Sequence, residues 1–200
     1  MQIELIIFDL GNVIFLYDHH VISEKISGME NVPLKKVHHT LFHAGFYEPF
    51  DNGTVSAEEF FQNIKHALGL KMDFKTFAPI WSDIFKENKP VTKLIEKLQK
   101  KYHVYVLSNT NSLHFEYLMK TEPFMGKIEK FILSFKVGTG KPDARIFETA
   151  LGYAKTSAER AVFIDDRPDF VQGARSIGMN AIHFTDPGAL SEGLEKLGII

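Results

Sequence analysis

Short apolar runs alternate with helical patterns along most of this 200-residue chain. Five runs are rich in aliphatic, β-branched or aromatic residues, as is typical of buried strands: 3–8, 103–108, 130–134, 161–165 and 180–184. Between several of them, apolar residues recur with the spacing of a helix face. These stripes are Val91, Leu94, Ile95 and Leu98; Ile146, Phe147, Ala150 and Leu151 after Pro142; and Phe170, Val171, Ala174 and Ile177 before Gly178. The alternation predicts a doubly wound, Rossmann-like α/β fold with a parallel sheet covered on both faces.

Residues 16–88 interrupt this alternation, because they contain helical stripes and no convincing strand. One of these stripes, which begins at Phe60, follows a capping-box pattern of Ser56 with Glu59 and ends before Gly69. We therefore predict a catalytic core formed by residues 1–15 and 89–200, with an α-helical cap inserted at 16–88. The stripes of the cap are Leu34, Val37, Leu41 and Ala44; Phe60, Phe61, Ile64 and Leu68; and Phe77, Ile80, Trp81, Ile84 and Phe85.

Composition narrows the class of protein. A net charge of −2 gives no reason to expect nucleic acid or an anionic membrane as a partner. The absence of cysteine excludes disulfides, thiolate nucleophiles and cysteine zinc sites. No signal peptide is recognisable, and no apolar stretch approaches the roughly 20 residues that span a bilayer. We expect a cytoplasmic protein that is a monomer or a weak homodimer and acts on a small molecule.

Polar side chains follow four of the strand-like runs. Asp9, with Gly11 and Asn12, follows the first run, and Ser108 and Asn109 end or follow the second. Lys141 comes several residues after the third run, and Asp165 and Asp166 end or follow the fourth. Because parallel strands present their carboxyl ends at one edge of the sheet, we expect these groups to meet there.

Such a gathering of groups suits phosphate chemistry. Neighbouring carboxylates raise each other's pKa, and a hard cation such as Mg²⁺ relieves the repulsion. Ser108, Asn109, backbone amides and Lys141 are then available to hold the oxygens of a phosphate dianion. The pattern predicts a site for phosphoryl transfer, which depends mainly on positioning and charge neutralisation.

The four segments FDLGNVIF, LSNTN, KPDARIF and FIDDRPDFVQGA resemble, in this order, the motifs of the haloacid dehalogenase (HAD) superfamily. The resemblance spans nearly the whole chain and is strongest to the branch that contains bacterial α-D-glucose-1-phosphate phosphatase. It implies a Mg²⁺-dependent phosphatase for a small phosphomonoester, such as glucose 1-phosphate or another sugar phosphate.

The resemblance also implies roles for individual residues. Asp9 would form an aspartyl-phosphate and bind the metal. The Gly11 carbonyl and Asp166 would complete the protein's metal ligands, with Asp165 supporting them from outside. Ser108 and Lys141 would bind phosphate, together with the loop at Gly11 and Asn12, and Lys141 would also neutralise Asp9. Asn109 is expected to orient Asp9 or its loop more than to contact phosphate.

One position departs from the superfamily pattern. Its phosphatases usually carry a second Asp two positions after the nucleophile as the general acid and base, and here that position is Gly11. We hypothesise that water or a cap group transfers the proton, with Asp18, His19 and Glu48 as candidates.

Two other functions remain open. A metal-free 2-haloacid dehalogenase would use the same nucleophile, although Asp165 and Asp166 then have little purpose. A phosphate-ligand binding protein that has lost turnover is the second. A phosphoglucomutase is less favoured, because that activity also depends on the absent Asp.

Several other features have structural interpretations. His39 and His43 have the spacing of a helical zinc pair but no evident third ligand, so we expect a solvated helix face. GTGK at 138–141 lacks the remaining residues of a Walker motif. Trp81 is expected in the cap core, Asn52-Gly53 in a tight turn, and Asp169 at a helix N-terminus. For Arg167, substrate contact and a solvated surface position both remain open.

Overall fold

The computed structural model describes residues 2–200 and contains two sheets and eleven α-helices within that range. The strands are β1 Leu5–Phe8, β2 Phe15–Tyr17, β3 Phe85–Glu87, β4 His103–Ser108, β5 Lys130–Leu133, β6 Ala161–Asp165 and β7 Asn180–His183. The helices are α1 His19–Glu30, α2 Leu34–Phe42, α3 Tyr47–Asp51, α4 Ala57–Leu68, α5 Phe74–Ser82, α6 Lys89–Leu98, α7 Ser112–Thr121, α8 Ser134–Val137, α9 Ala144–Ala154, α10 Pro168–Ser176 and α11 Pro187–Lys196.

The larger sheet is parallel, with strand order β5-β4-β1-β6-β7. Alternate residues of β1 face opposite sides, so Ile6 and Phe8 pack in one apolar cluster and Leu5 and Ile7 in another. Helices α6, α7 and α11 cover the first face, and α9 and α10 cover the second. The predicted doubly wound α/β fold is confirmed, since each face of the central strand is buried beneath helices.

Helices α1, α2, α4 and α5 surround a separate apolar cluster, to which α3 contributes Phe50. Trp81 lies fully buried in this cluster, in contact with the rings of Phe60 and Phe77, as expected from the stripes. Ser56 and Glu59 form the predicted capping box at the start of α4. A separate core supports the division into a sheet domain and a cap, and we keep the boundaries at 15/16 and 88/89 as a proposal.

The expectation that residues 16–88 contain no strand is wrong. Phe15–Tyr17 and Phe85–Glu87 pair antiparallel as β2 and β3, with Tyr17 opposite Phe85. Each strand has three residues, which are too few for an alternating pattern to be visible. Helix α5 ends at Ser82, whereas the apolar stripe that predicted this helix continues to Phe85. The pair lies where the chain passes between the sheet domain and the cap, and it holds Tyr17 next to the carboxyl end of β1.

The parallel register aligns the ends of three central strands. Phe8 of β1 is level with Val106 of β4 and Ile164 of β6. The amide of Asp9 donates a hydrogen bond of 2.8 Å to the carbonyl of Ile164. Asp9, the residue after β1, is therefore still hydrogen-bonded to β6. Residues just beyond these strands therefore converge at one edge. Within residues 2–200, no helix has the length and apolar character needed to cross a membrane.

Candidate active site

Three carboxylates meet at the carboxyl edge of the sheet. Asp9, Asp165 and Asp166 each place an oxygen within 4.8 Å of the others. Asp9 and Asp165 are buried and Asp166 is half-buried. Burial raises the pKa of Asp166, and the neighbouring charge of Asp165 raises it further. The three acidic residues singled out in the sequence are thus brought together, although they come from opposite ends of the chain.

Lys141 is the cation at the centre of this cluster. Its Nζ lies 2.7 Å from Oδ1 of Asp9 and 2.6 Å from Oδ2 of Asp165, and it also donates to the Leu107 carbonyl at 3.3 Å. Burial alone would lower the pKa of Lys141, but the two carboxylates outweigh that effect and raise it. For Asp9, burial raises the pKa to about 7, although Lys141 opposes the rise. Lys141 therefore stays charged and holds the Asp9 carboxylate in place.

Both carboxylate oxygens of Asp165 accept hydrogen bonds from other groups of the protein. Oδ2 accepts from Lys141, and Oδ1 accepts from the backbone amide of Arg167 at 2.8 Å. The residue is fully buried. This arrangement suits the supporting role expected of Asp165, and it leaves Asp9 and Asp166 as the carboxylates best placed to bind an ion directly.

The expected phosphate-binding residues divide into two groups. Ser108 is buried at the end of β4, and its hydroxyl makes only a long contact of 3.5 Å with the Asn109 carbonyl, so it is free to bind a ligand. Asn109 instead accepts from the Lys141 amide at 2.7 Å and donates to the Lys141 carbonyl at 3.0 Å. Both polar ends of Asn109 thus hold the lysine loop. A Cβ on Gly140 would lie 2.8 Å from the Asn109 amide group, so this close packing requires glycine at position 140.

The loop after β1 is shaped by Asn12, whose φ of 55° lies in the left-handed region that asparagine tolerates. Its Oδ1 accepts a long hydrogen bond, 3.4 Å, from the Tyr17 amide, and its side chain lies close enough to Asp166 to lower the pKa of that carboxyl. In residues 2–200 no backbone donor bonds to the Gly11 carbonyl. That oxygen is therefore available to a cation.

The donor set fits Mg²⁺. Three carboxylates face a single ammonium group, which leaves excess negative charge, and all the groups available to an ion are oxygens. Hard cations prefer such ligands, and Mg²⁺ usually takes one or two carboxylates and completes its shell with water and phosphate oxygens. Asp9, Asp166 and the Gly11 carbonyl are the groups that would hold it.

The cluster lies at the base of a cavity of about 370 Å³ between the sheet edge and the cap. Besides the predicted residues, its wall includes aromatic and polar groups that the sequence reasoning missed. These are Tyr17, Tyr47, Asp51, Phe85, Thr110, His114 and Phe170. Most of them come from the cap or from the passages into it, and no motif in the sequence points to them.

A model of the haloacid dehalogenase-like hydrolases matches residues 16–184, well over half of the chain. The chain belongs to this family. The predicted superfamily is thereby confirmed.

Similar proteins include named phosphatases. The D-ribitol-5-phosphate phosphatase of Bacteroides thetaiotaomicron is 27% identical over 88% of this chain and 89% of its own. The sesquiterpene phosphatase of Aspergillus oryzae is 25% identical, covering 96% and 94% of the two chains. A solved HAD family enzyme from B. thetaiotaomicron superposes with a TM-score of 0.83 at 25% identity, over 92% of this chain and 95% of that one. A further structure of that enzyme, 23% identical to this chain, is a complex with magnesium and inorganic phosphate.

The structure separates the three candidates for proton transfer in this HAD hydrolase. Asp18 is exposed and caps α1 by accepting from the His20 amide at 2.8 Å. Glu48 is exposed and lines a neighbouring cavity rather than the one above Asp9. His19 does line the cavity above Asp9, but burial lowers its pKa to about 4, so it is neutral near pH 7. Of the three, only His19 lines the cavity above Asp9.

Tyr17 occupies the space beside Gly11. A Cβ built on Gly11 would lie 2.6 Å from Cε1 of Tyr17, closer than carbon atoms approach. The aromatic ring thus fills the place in which a side chain at position 11 would project. Glycine here is a consequence of how β2 packs, and an aspartate would require that ring to move.

The remaining expectations have simple outcomes. His39 and His43 are exposed, and no cluster of three metal-binding side chains within residues 2–200 includes them. Arg167 lines the cavity, yet it is paired with Asp169 at 2.7 Å. Gly53 has a φ of 77° in the turn that follows α3, as expected for Asn52-Gly53.

Proposed function

We propose that this HAD hydrolase is a Mg²⁺-dependent phosphatase that hydrolyses a small phosphomonoester through an aspartyl-phosphate. The observation that carries the proposal is the geometry of Asp9. Its carboxylate is buried at the sheet edge, fixed at 2.7 Å by Lys141, and within 4.8 Å of the two acidic residues that favour a divalent cation.

The chain's own groups account for the first step. Asp9 is held with one oxygen on Lys141, which leaves its second oxygen to attack phosphorus in line with the leaving group. Ser108 lines the same cavity, and its hydroxyl is free to donate to a phosphoryl oxygen. Lys141 favours the ionised form of the nucleophile and offsets charge that develops at phosphorus. Bound Mg²⁺ would neutralise the phosphate dianion and so allow one anion to attack another.

A polar small molecule is the substrate that the cavity supports best. Its volume of about 370 Å³ is at the lower end for ligand pockets, which typically occupy roughly 300–1,000 Å³. Hydroxyl and carboxyl groups of Tyr17, Tyr47 and Asp51 line it among aromatic rings. Such a wall can bond to several hydroxyl groups, so we propose a sugar or polyol phosphate, with glucose 1-phosphate and ribitol 5-phosphate as the first compounds to test.

The proposal is tested by measuring phosphate release from a panel of sugar and polyol phosphates and from p-nitrophenyl phosphate. We expect turnover with Mg²⁺, loss of turnover with a chelator, and loss in Asp9→Asn, which keeps the shape of the side chain. Glu24→Gln, a matched change of an exposed carboxylate on α1, should retain wild-type rates.

Other results would favour the alternatives. Chelator-insensitive halide release from a 2-haloacid would favour a dehalogenase. Mg²⁺-dependent ligand binding without any phosphate release would favour a binding protein that has lost turnover. Undiminished activity in Asp9→Asn would show that Asp9 is not the nucleophile.

A further inference from the structure

The in-line geometry of the proposed reaction determines where a proton donor must lie. If Asp9 attacks from the sheet edge, the leaving oxygen lies on the opposite side of phosphorus, toward the cap. The water that later cleaves the aspartyl-phosphate attacks from that same side. One group in the cap can therefore serve both steps, first as acid and then as base.

Asp51 is a carboxyl group in that position. It is the last residue of α3 and lines the same cavity as Asp9. Burial raises the pKa of the Tyr17 hydroxyl, and the charges of Asp9, Asp166 and Asp51 raise it further. Tyr17 is therefore within electrostatic range of all three carboxylates, and Asp51 lines one cavity with Asp9 and Asp166.

A network of hydrogen bonds fixes the Asp51 carboxylate. The Asn111 side-chain amide donates to Asp51 Oδ1 at 3.0 Å. The orientation of that amide is set in turn, because Asn111 Oδ1 accepts from Trp81 Nε1 at 3.3 Å and from the His114 amide at 3.1 Å. The carboxylate is thus held by Asn111, the residue before α7, which Trp81 of the cap helps to orient.

The backbone around Asp51 is also fastened to the sheet domain. The Ser134 hydroxyl donates to the Asp51 carbonyl. The turn that follows packs so closely that a Cβ on Gly53 would clash with the Phe135 carbonyl oxygen. The position of Asp51 relative to the sheet edge is therefore well defined, as a group that transfers protons requires.

The other titratable groups that face Asp51 from the surrounding elements are poorly suited to the task. Burial raises the pKa of Tyr47 on α3 and of Tyr17 on β2 well above their ordinary value, so neither phenol releases its proton readily. Burial lowers the pKa of His19 on α1 to about 4 and that of His114 on α7 to about 3. Both imidazoles are neutral near pH 7 and have no readily available proton to donate.

The charged groups nearby are already paired. Lys141 holds two carboxylates, Arg145 bonds to Asp143, and Arg167 bonds to Asp169. In contrast, burial raises the pKa of Asp51 to about 7, although hydrogen bonds from Asn111 and Tyr47 oppose the rise. A group that titrates near the working pH is suited to both giving and taking a proton.

We propose that Asp51 is the general acid and base of this enzyme, in place of the carboxylate missing at Gly11. This inference rests on the proposed phosphatase function. In the first step the bond from Asp9 to phosphorus forms, the bond to the leaving oxygen breaks, and that oxygen takes the proton of the Asp51 carboxyl. In the second step the Asp51 carboxylate takes a proton from water, the water oxygen bonds to phosphorus, and the Asp9 carboxylate is released.

The leaving group provides the test. An alkoxide needs a proton as it departs, whereas p-nitrophenolate departs without one. In Asp51→Asn we expect kcat/KM for the best sugar phosphate to fall by about 10²–10⁴-fold. Formation of the aspartyl-phosphate from p-nitrophenyl phosphate should change much less. Because its hydrolysis is then slow, the variant should show a burst of one p-nitrophenolate per enzyme.

The controls distinguish proton transfer from support of the fold. Asp51→Glu, which retains a carboxyl, should recover part of the activity, and Glu24→Gln should match wild type. A pH test on the wild type does not depend on the folding of any variant. As pH rises through about 7, the wild-type rate with the sugar phosphate should fall relative to its first-turnover rate with p-nitrophenyl phosphate.

Three results would overturn the inference. Equal losses of kcat/KM with both substrates in Asp51→Asn would show that Asp51 has only a structural role. Unchanged kcat/KM values in that variant would show that Asp51 takes no part in the chemistry. In both cases an active wild type leaves the phosphatase function intact. A wild type that hydrolyses no phosphate ester would end the proposed function and this inference with it.

Discussion

Asp166→Asn should make the protein more stable without metal and less responsive to Mg²⁺. Asp166 places an oxygen within 4.8 Å of oxygens of Asp9 and Asp165, while Lys141 bonds only to the latter two. Two unit charges at that separation repel by about 3–4 kcal/mol at an effective dielectric constant near 20. Because Asp166 is half-buried, solvent screens part of this repulsion, and we expect a gain of about 1–2 kcal/mol at pH 8.

The assay is thermal unfolding of both proteins with a chelator and with increasing Mg²⁺. For a chain of this length, about 1–2 kcal/mol corresponds to a rise in Tm of roughly 2–8 °C. Wild type should gain about 2.7 kcal/mol when Mg²⁺ reaches 100 times its Kd, because the ion binds only the folded state. Asp166→Asn loses a ligand and should gain little, so the two stability curves should cross.

Asp169→Asn is the matched control. This neighbouring carboxylate is exposed and pairs with Arg167 at 2.7 Å, so its removal should change stability by less than about 1 kcal/mol and leave the Mg²⁺ response intact. If Asp166→Asn is destabilised without metal, or stabilised by Mg²⁺ as strongly as wild type, the reasoning about a shared metal site is refuted.

Three further predictions concern stability. Lys141→Met should lower the free energy of unfolding in urea by about 3–5 kcal/mol, because two buried carboxylates lose their cation. Gly11→Ala should cost about 1–3 kcal/mol through its contact with the Tyr17 ring, and clearly less in a Tyr17→Ala background, as a double-mutant cycle would show. The pKa of Asp51 is raised by folding to about 7, so the stability that this group contributes is lost as pH rises from about 4 to about 7. In urea titrations, the free energy of unfolding of Asp51→Asn should therefore rise relative to that of wild type between pH 5 and pH 8.

The sheet and the acidic cluster could be predicted because both depend on local pattern. Asp9, Ser108 and Asp166 end or directly follow apolar runs, and the parallel register turns that position along the chain into proximity in space. Lys141 follows its strand at a distance, and its contact with Asp9 is expected only through the family resemblance. Its bonds to Asp9 and Asp165 depend on a loop that Asn109 holds, which no sequence pattern reveals.

The cap side of the site could not be predicted from the sequence. Tyr17 belongs to a strand of three residues whose partner lies about 70 positions away, and such a pair leaves no periodic signal. Asp51 precedes Asn52-Gly53, so its local sequence indicates only a turn. Its burial and its bond to Asn111 arise from packing of the cap on the sheet domain, which is a property of the folded chain alone.

The most direct test of the account is to trap the covalent intermediate. The protein is mixed with Mg²⁺ and p-nitrophenyl phosphate, quenched in acid within a turnover, digested and mapped by mass spectrometry. We predict one phosphoryl group on the peptide that contains Asp9, and none when Mg²⁺ is chelated or in Asp9→Asn. Steady phosphate release without a labelled Asp9 peptide, or a label on another residue, would contradict the claim that Asp9 is the nucleophile.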